Sequence, residues 1–119
     1  GGKWMANTHQ GHFPNQDTAA DKFNGVAPVA QFPPNGYGLY DVGGNVWEWV
    51  EDCWHKNYEG APADGSAWLE ANGGDCGRRV MRGACWGYAP LYLRTSYRLR
   101  NKANTRTATV GFRLAQDLD

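Results

Sequence analysis

Three cysteines are the side chains of this sequence best suited to covalent or redox chemistry: Cys53, Cys76 and Cys85. Cys85, in "RGACWGY", could be a nucleophile, a ligand for a redox metal, or a small packed residue. A nucleophilic thiol needs a neighbouring base, but all three histidines lie far from it in sequence. The cysteine spacing contains no CxxC pair and therefore matches no zinc pattern.

Cys53 and Cys76 both stand beside acidic residues in loop-like sequence, "EDCW" and "GGDCGRR". A disulfide between them would close a loop of roughly two dozen residues and stabilise the fold by about 3 kcal/mol in the chain-entropy model. Two free thiols in a reducing compartment fit the sequence equally well. The pairing therefore stays open; if it forms, Cys85 is the odd cysteine.

The elements that must position these residues are short. Sixteen glycines and six prolines predict many turns and little helix. The sequence predicts a strand or buried irregular segment at "NVWEWV", and strands at "RRVMRGACW", within "LYLRTSYRLR" and, most clearly, at "ATVGFRLA". In the last of these, Val110, Phe112 and Leu114 would share one face. Residues 55–75 are predicted to form a long loop with a helical turn near "SAWLEA".

The charge is balanced overall but divided along the chain. Residues 1–77 hold three Lys/Arg and ten Asp/Glu, whereas residues 78–119 hold nine Lys/Arg and two Asp/Glu. We expect these parts to pair within one domain, residues 1–119. The arginines stand singly among apolar residues, which argues against a nucleic-acid partner. No run reaches the roughly 18 apolar residues of a membrane span, and no signal-peptide pattern opens the chain. A soluble protein, cytoplasmic or exported, is expected.

Several motifs together resemble one known family. They are "NGYGLYDVGGNVWEW", "RVMRGACW" and "VGFRLA", with arginines at 94, 98 and 106 between the last two. The pattern is similar to the sulfatase-modifying-factor family, which includes the formylglycine-generating enzymes and many bacterial proteins. The resemblance implies an α+β, C-type-lectin-like fold, mostly irregular, with short antiparallel strands and little helix. It also implies that this chain is the C-terminal half of the family domain, so that the N-terminal half is a possible partner.

The resemblance further implies structural calcium, one or two ions. The family's two calcium sites match two sets of four residues here: Asn7, Thr8, Asp21 and Phe23, and Asp41, Gly44, Val46 and Glu48. Calcium takes roughly six to eight oxygen ligands from carboxylates, amides and backbone carbonyls, and these turns can supply such oxygens. The alternative is that Asp41 caps a turn while Glu48 pairs with an arginine.

The family's aerobic enzymes hold copper with two cysteines just after a Gly-Gly-Ser that matches Gly83-Ala84-Cys85. Copper(I) prefers a pair of thiolates, and no cysteine follows Cys85 in this chain. We therefore expect no copper. Trp47, whose family counterpart borders the active-site cleft, remains a catalytic candidate beside Cys85.

Residues 87–109 instead show spacing that resembles the variable region of retroelement-diversified proteins, which use this fold to display changing side chains. Tyrosines are large amphipathic residues of the kind that binding surfaces use, although they also pack beneath loops. The leading hypothesis is that the surface of residues 86–109 binds an unidentified protein or small molecule. Its predicted ligand-binding residues are Trp86, Tyr88, Leu91, Tyr92, Tyr97 and Leu99. The alternative is a copper- or iron-dependent oxidoreductase of the family, modifying a sulfatase cysteine, whose site the N-terminal half completes.

Overall fold

A computed structural model describes residues 2–116 and shows one four-stranded sheet surrounded by turns and irregular segments. The strands are β1 (Trp47–Trp54), β2 (Asp75–Arg82), β3 (Leu99–Lys102) and β4 (Val110–Gly111), in the order β3-β2-β1-β4. Within that range the helical content is a single 3-10 turn, Pro90–Leu93. The predicted fold class, mostly irregular with short strands and little helix, is thereby confirmed.

The strands pair antiparallel in the centre and parallel at one edge. β2 pairs antiparallel with both β1 and β3, and Met81 lies opposite Trp49 on one side and Leu99 on the other. β4 pairs parallel with β1, with Trp47 opposite Val110. The prediction of antiparallel strands is therefore wrong for β4. Residues 103–109 run back along the sheet from the end of β3, so β4 starts beside the start of β1 and runs in the same direction.

Two strand predictions were too long. "ATVGFRLA" contributes only two residues to the sheet, and Phe112 and Leu114 beyond it are 74% and 89% exposed. "LYLRTSYRLR" begins as the 3-10 turn, because Pro90 suits the first position of a helical turn and cannot donate to a strand ladder. The residues of "SAWLEA" are irregular rather than helical.

The core lies on β1, on β2 and in the segment that follows β2. Trp47, Met81, Ala84 and Cys85 form one cluster in which every residue is 1% exposed. Val80, next to Met81, is fully buried as well. Because successive residues of a strand point to opposite faces, both faces of the sheet are covered at this level.

Cys53 of β1 and Cys76 of β2 form a disulfide, with their Cα atoms 4.5 Å apart. The question that the sequence left open is thus resolved in favour of the bridge. It joins the two central strands at the end remote from Trp47, near the irregular register around Cys53.

The loop before β1 packs directly on the N-terminal segment. The Asn45 amide donates to the Asn7 carbonyl at 2.8 Å. Gly44 has φ +80°, and a Cβ there would lie 2.3 Å from that same carbonyl oxygen. Only glycine accommodates both this dihedral angle and this approach. The contact brings together the two segments that carry the predicted calcium ligands.

Among the described residues, no helix has both the length and the apolar character that crossing a membrane requires.

Candidate functional site

Trp47 is the centre of an aromatic cluster formed by residues that follow β2. Its ring meets Tyr88 edge-on with centroids 5.4 Å apart, and lies 6.5 Å from Tyr92 and 6.1 Å from Tyr97. Tyr92 in turn meets Tyr88 at 5.4 Å and Tyr97 at 4.9 Å, both edge to face. Such pairs contribute about 0.5–1.5 kcal/mol each beyond the burial of their area. We call Tyr88, Tyr92 and Tyr97 the tyrosine cluster.

The three tyrosines of the cluster are half-buried. They pack against the core on one side and remain accessible to solvent on the other. Trp86 and Leu99 also pack against the core and are half-buried, whereas Leu91 is 54% exposed. Five of the six residues predicted to bind a ligand thus pack on the Trp47 core, and the sixth, Leu91, precedes Tyr92 in the chain. The tyrosines keep an accessible side while their rings are fixed by Trp47.

Two indole N–H groups in this region lack a partner. The Nε1 atoms of Trp47 and Trp86 are buried and form no hydrogen bond within residues 2–116. An unsatisfied buried donor costs roughly 1–3 kcal/mol. Because both nitrogen atoms are buried, an acceptor from outside the chain does not reach them in this conformation.

Cys85 is the one cysteine outside the disulfide, and it is 1% exposed. Burial raises the pKa of its thiol above the ordinary value, only partly offset by a hydrogen bond from the Gly87 amide. Reactive cysteines are partly exposed and have a lowered pKa. Of the three alternatives for Cys85, a nucleophile, a ligand for a redox metal and a small packed residue, its burial fits the small packed residue.

In the first predicted calcium set two residues are buried, and Thr8 and Phe23 are half-buried. Asn7 is 1% exposed and Asp21 is 4% exposed. The Asp21 carboxylate accepts hydrogen bonds from the amides of Thr8 at 3.1 Å and Phe23 at 3.0 Å. No Lys, Arg or His within residues 2–116 forms an ion pair with it. A buried carboxylate without a counter-charge is costly, so this oxygen-rich set fits a bound cation.

The second set is arranged differently. The Glu48 carboxylate accepts two hydrogen bonds from the Arg113 guanidinium, one of them at 2.6 Å from Nε. This contact raises the pKa of Arg113, with a smaller contribution from the nearby Asp41 carboxylate. Asp41, at φ +53°, accepts from the Ala30 amide at 2.8 Å. These contacts match the alternative in which Asp41 caps a turn and Glu48 pairs with an arginine.

The eight predicted ligands therefore do not form equivalent sets. Asp41, Val46 and Glu48 line one open cavity of about 400 Å³ together with Arg113. Gly44 lies against Asn7, which belongs to the first set. Within residues 2–116 no group of three or more His, Cys, Asp or Glu side chains is placed to hold a metal. Any cation must rely on amide and backbone oxygens as well as carboxylates.

Arg98 is held in an aromatic pocket. Its guanidinium lies 4.1 Å from the ring centroid of Tyr58 and 5.1 Å from that of Trp54. It also donates to the carbonyls of His55 and Asn57, each at 3.1 Å. Arg98 is half-buried, and these contacts give it a structural role in holding the irregular segment that follows β1.

The sequence reasoning missed a cleft formed by two other arginines. Arg82 at the end of β2 and Arg94 after the 3-10 turn line a cavity of about 250 Å³ with Val42, Gly43, Gly83, Leu93 and Thr95. One signal was available: no Asp or Glu stands between Asp75 and Asp117, a stretch that holds nine Lys and Arg. What the sequence could not show is that Arg82 and Arg94 meet.

Comparison with known proteins identifies the class. The family model described as "Sulfatase-modifying factor enzyme 1-like domain" matches residues 1–118. The formylglycine-generating enzyme of Thermomonospora curvata is 38% identical over 98% of this chain and 39% of its own length. The bovine protein named "Inactive C-alpha-formylglycine-generating enzyme 2" is 40% identical over 92% of the chain and 33% of its own length.

The fold agrees with a solved structure. PvdO from Pseudomonas aeruginosa superposes with a TM-score of 0.77 and 42% identity, over 91% of this chain and 37% of PvdO. The chain therefore belongs to the sulfatase-modifying factor family, as its motifs predicted, and has the fold of that family. It spans about a third of the length of these relatives.

Proposed function

We propose that this domain binds a ligand through the surface of residues 86–109 and does not act as a copper oxidase. The observation that carries the proposal is the tyrosine cluster, in which three half-buried tyrosines are fixed by packing on the buried ring of Trp47. Rigid aromatic residues supply contact area at low entropic cost.

Two further observations support the absence of oxidase chemistry. The chain has no thiol near Cys85 in sequence, and Cys85 itself is buried with a raised pKa. A relative that is 40% identical carries the word "inactive" in its name. Display of variable side chains, as in retroelement-diversified proteins, is the kind of binding that the spacing of residues 87–109 favours.

The second candidate is an oxidoreductase of the formylglycine-generating type. Identity of 38% to an enzyme of that name favours it. On this hypothesis further polypeptide, such as the N-terminal half of the family domain, completes the site. The exposed apolar side chains of Val29, Phe112 and Leu114, at 78%, 74% and 89%, could be covered by such a segment.

We also propose structural calcium at Asn7, Thr8, Asp21 and Phe23, where no Lys, Arg or His of the described residues pairs with the buried Asp21 carboxylate. At Asp41, Gly44, Val46 and Glu48, calcium would have to compete with Arg113 for the Glu48 carboxylate. The ion would tie together loops that have little core beneath them. It would have no part in ligand chemistry.

Selection of binders from a display library tests the proposed function. Peptides selected on the wild-type protein are expected to lose roughly tenfold or more in affinity for Tyr92→Ser. Leu91→Ser, at a 54% exposed position, should also weaken them without disturbing the core. The matched control is Tyr37→Ser, because Tyr37 is 90% exposed and lies outside the proposed surface. Binders that respond equally to Tyr37→Ser and Tyr92→Ser would contradict the proposal.

A further inference from the structure

The cleft between Arg82 and Arg94 lies at one side of the tyrosine cluster. Leu93, which lines the cleft, also packs against the Trp47 core, and the Arg94 guanidinium lies 5.9 Å from the ring centroid of Tyr97. A ligand on the tyrosines therefore reaches the cleft without crossing another element. Thr95 lines the same cleft and is exposed.

A backbone carbonyl orients each guanidinium, and no carboxylate of residues 2–116 pairs with it. Arg82 donates from Nη2 to the Thr95 carbonyl, and Arg94 donates from Nε to the Leu91 carbonyl at 3.1 Å. Arginine has five N–H donors, so both retain several for another acceptor. A carbonyl bond at one edge also fixes the direction in which the remaining donors point.

Among the residues that the structure describes, no acidic side chain lines this cleft. Glu48 lies opposite Arg82 on β1, but its carboxylate is held by Arg113. Two other arginines are engaged elsewhere: Arg78 pairs with Asp75, and Arg98 lies between aromatic rings. Within residues 2–116, neither Arg82 nor Arg94 forms an ion pair.

The floor of the cleft is fixed. Gly83 has φ +90°, and a Cβ there would lie 2.7 Å from the Val42 carbonyl oxygen. The Gly44 amide donates to the Gly83 carbonyl at 2.7 Å. The backbone between Arg82 and the Val42 segment is thus closely packed, so one side of the cleft that both arginines line is rigid.

We infer that this cleft binds an oxyanion, a carboxylate or phosphate group, presented by the ligand of the 86–109 surface. Two guanidinium groups match the planar or tetrahedral oxygens of such a group through paired hydrogen bonds. The inference rests on the proposed function because it assigns the chemical class of the ligand at that surface.

Titration of the protein with small anions tests the inference. Inorganic phosphate and glutarate are added separately at low ionic strength, and the amide resonances of Gly83 and Thr95 are followed by NMR. We expect a saturable shift with at least one probe. Tighter binding of phosphate would assign a phosphate source, and tighter binding of glutarate a carboxylate source.

Variants make the test specific to the cleft. Arg94→Gln should weaken anion binding by roughly fivefold or more, which corresponds to losing one charge-assisted contact. Arg106→Gln removes the same charge from residues 86–109 outside this cleft and should change the affinity by less than about twofold. Equal melting temperatures would show that both variants are folded.

Two outcomes would overturn the inference: no saturable shift with either anion, or equal weakening by Arg94→Gln and Arg106→Gln. The second would indicate only a diffuse positive field. If the titration fails while selected binders still depend on Tyr92, the oxyanion inference falls and the proposed function stands. If anions bind but selected binders ignore Tyr92, anion binding by the cleft stands, whereas the proposed function and the assignment of the anion to its ligand both fall.

Discussion

Cys85 illustrates how burial decides what a side chain can do. A thiol becomes a metal ligand or nucleophile as its thiolate, and a site that raises the pKa of Cys85 disfavours that form. The other two cysteines are held in the disulfide and are not available as thiolates. Tyr88, three positions after Cys85, instead packs its ring on Trp47.

This leads to a prediction for copper. Titration of the oxidised protein with copper(I), in competition with a chromophoric chelator, should show no stoichiometric site, because a two-thiolate site needs a second free cysteine. Cys85→Ser should behave as the wild type does. The same protein should produce no formylglycine on a cysteine-containing peptide. Tight one-to-one copper binding that is lost in Cys85→Ser would favour the oxidoreductase hypothesis.

At the scale of elements, the loop between Asp41 and Trp47 depends on the absence of a side chain at Gly44. We expect Gly44→Ala to lower the free energy of unfolding by about 2–4 kcal/mol, since it combines a left-handed φ with a backbone clash. The matched control is Gly36→Ala, because a Cβ at Gly36 would have no atom within 4 Å. That variant should change stability by less than about 0.5 kcal/mol.

Denaturant unfolding of the two glycine variants provides the measurement. A loss in Gly44→Ala no larger than that in Gly36→Ala would show that the loop can move away from Asn7. The close approach of Gly44 to the Asn7 carbonyl would then not contribute to stability.

The elements that the sequence predicted well are those whose signal is local. The dense apolar pattern of "NVWEWV" and "RRVMRGACW" located β1 and β2, because buried central strands carry such runs. The apolar residues Phe112 and Leu114 misled the prediction of a long final strand. A pattern of apolar residues indicates that one face of a segment favours burial. It does not indicate whether another part of the described chain packs on that face.

In the candidate site, too, the features with a local sequence signal could be predicted, and the contacts between distant residues could not. Tyr88, Tyr92 and Tyr97 could be named from residue type and spacing. The pairing of Glu48 with Arg113, 65 residues apart, was one of two alternatives that the sequence could not decide between. Arg82 and Arg94 line the same cleft because of how the chain turns through Pro90–Leu93, where the sequence had suggested a strand.

At the scale of the whole molecule, the fold rests on a small sheet and many irregular loops, so a bound cation should matter for stability. We expect removal of calcium with EGTA to lower the melting temperature by about 5 °C or more, because an ion that binds only the folded state stabilises it. Added calcium should restore the transition. An unchanged melting temperature on chelation would refute the proposed calcium.

Two variants test whether the effect of EGTA on the melting temperature comes from the first calcium set, which contains Asp21. Asp21→Asn should lose most of the response to EGTA, since Asp21 carries the only carboxylate of that set. Glu59→Gln, at an exposed position, removes the same charge and should keep the full response. A full response in Asp21→Asn would place the ion elsewhere.

The pairing of Met81 with Leu99 closes the segment between them into a loop whose two ends are held by neighbouring strands. The entropic cost of such a closed loop grows slowly, by about 0.6 kcal/mol for each doubling of its length. The register of the sheet therefore depends little on the length of the exposed part of this segment, around Leu91, whereas the buried Ala84 and Cys85 belong to the core and do not tolerate such changes. The reach of the binding surface can change in length while the four strands keep their register.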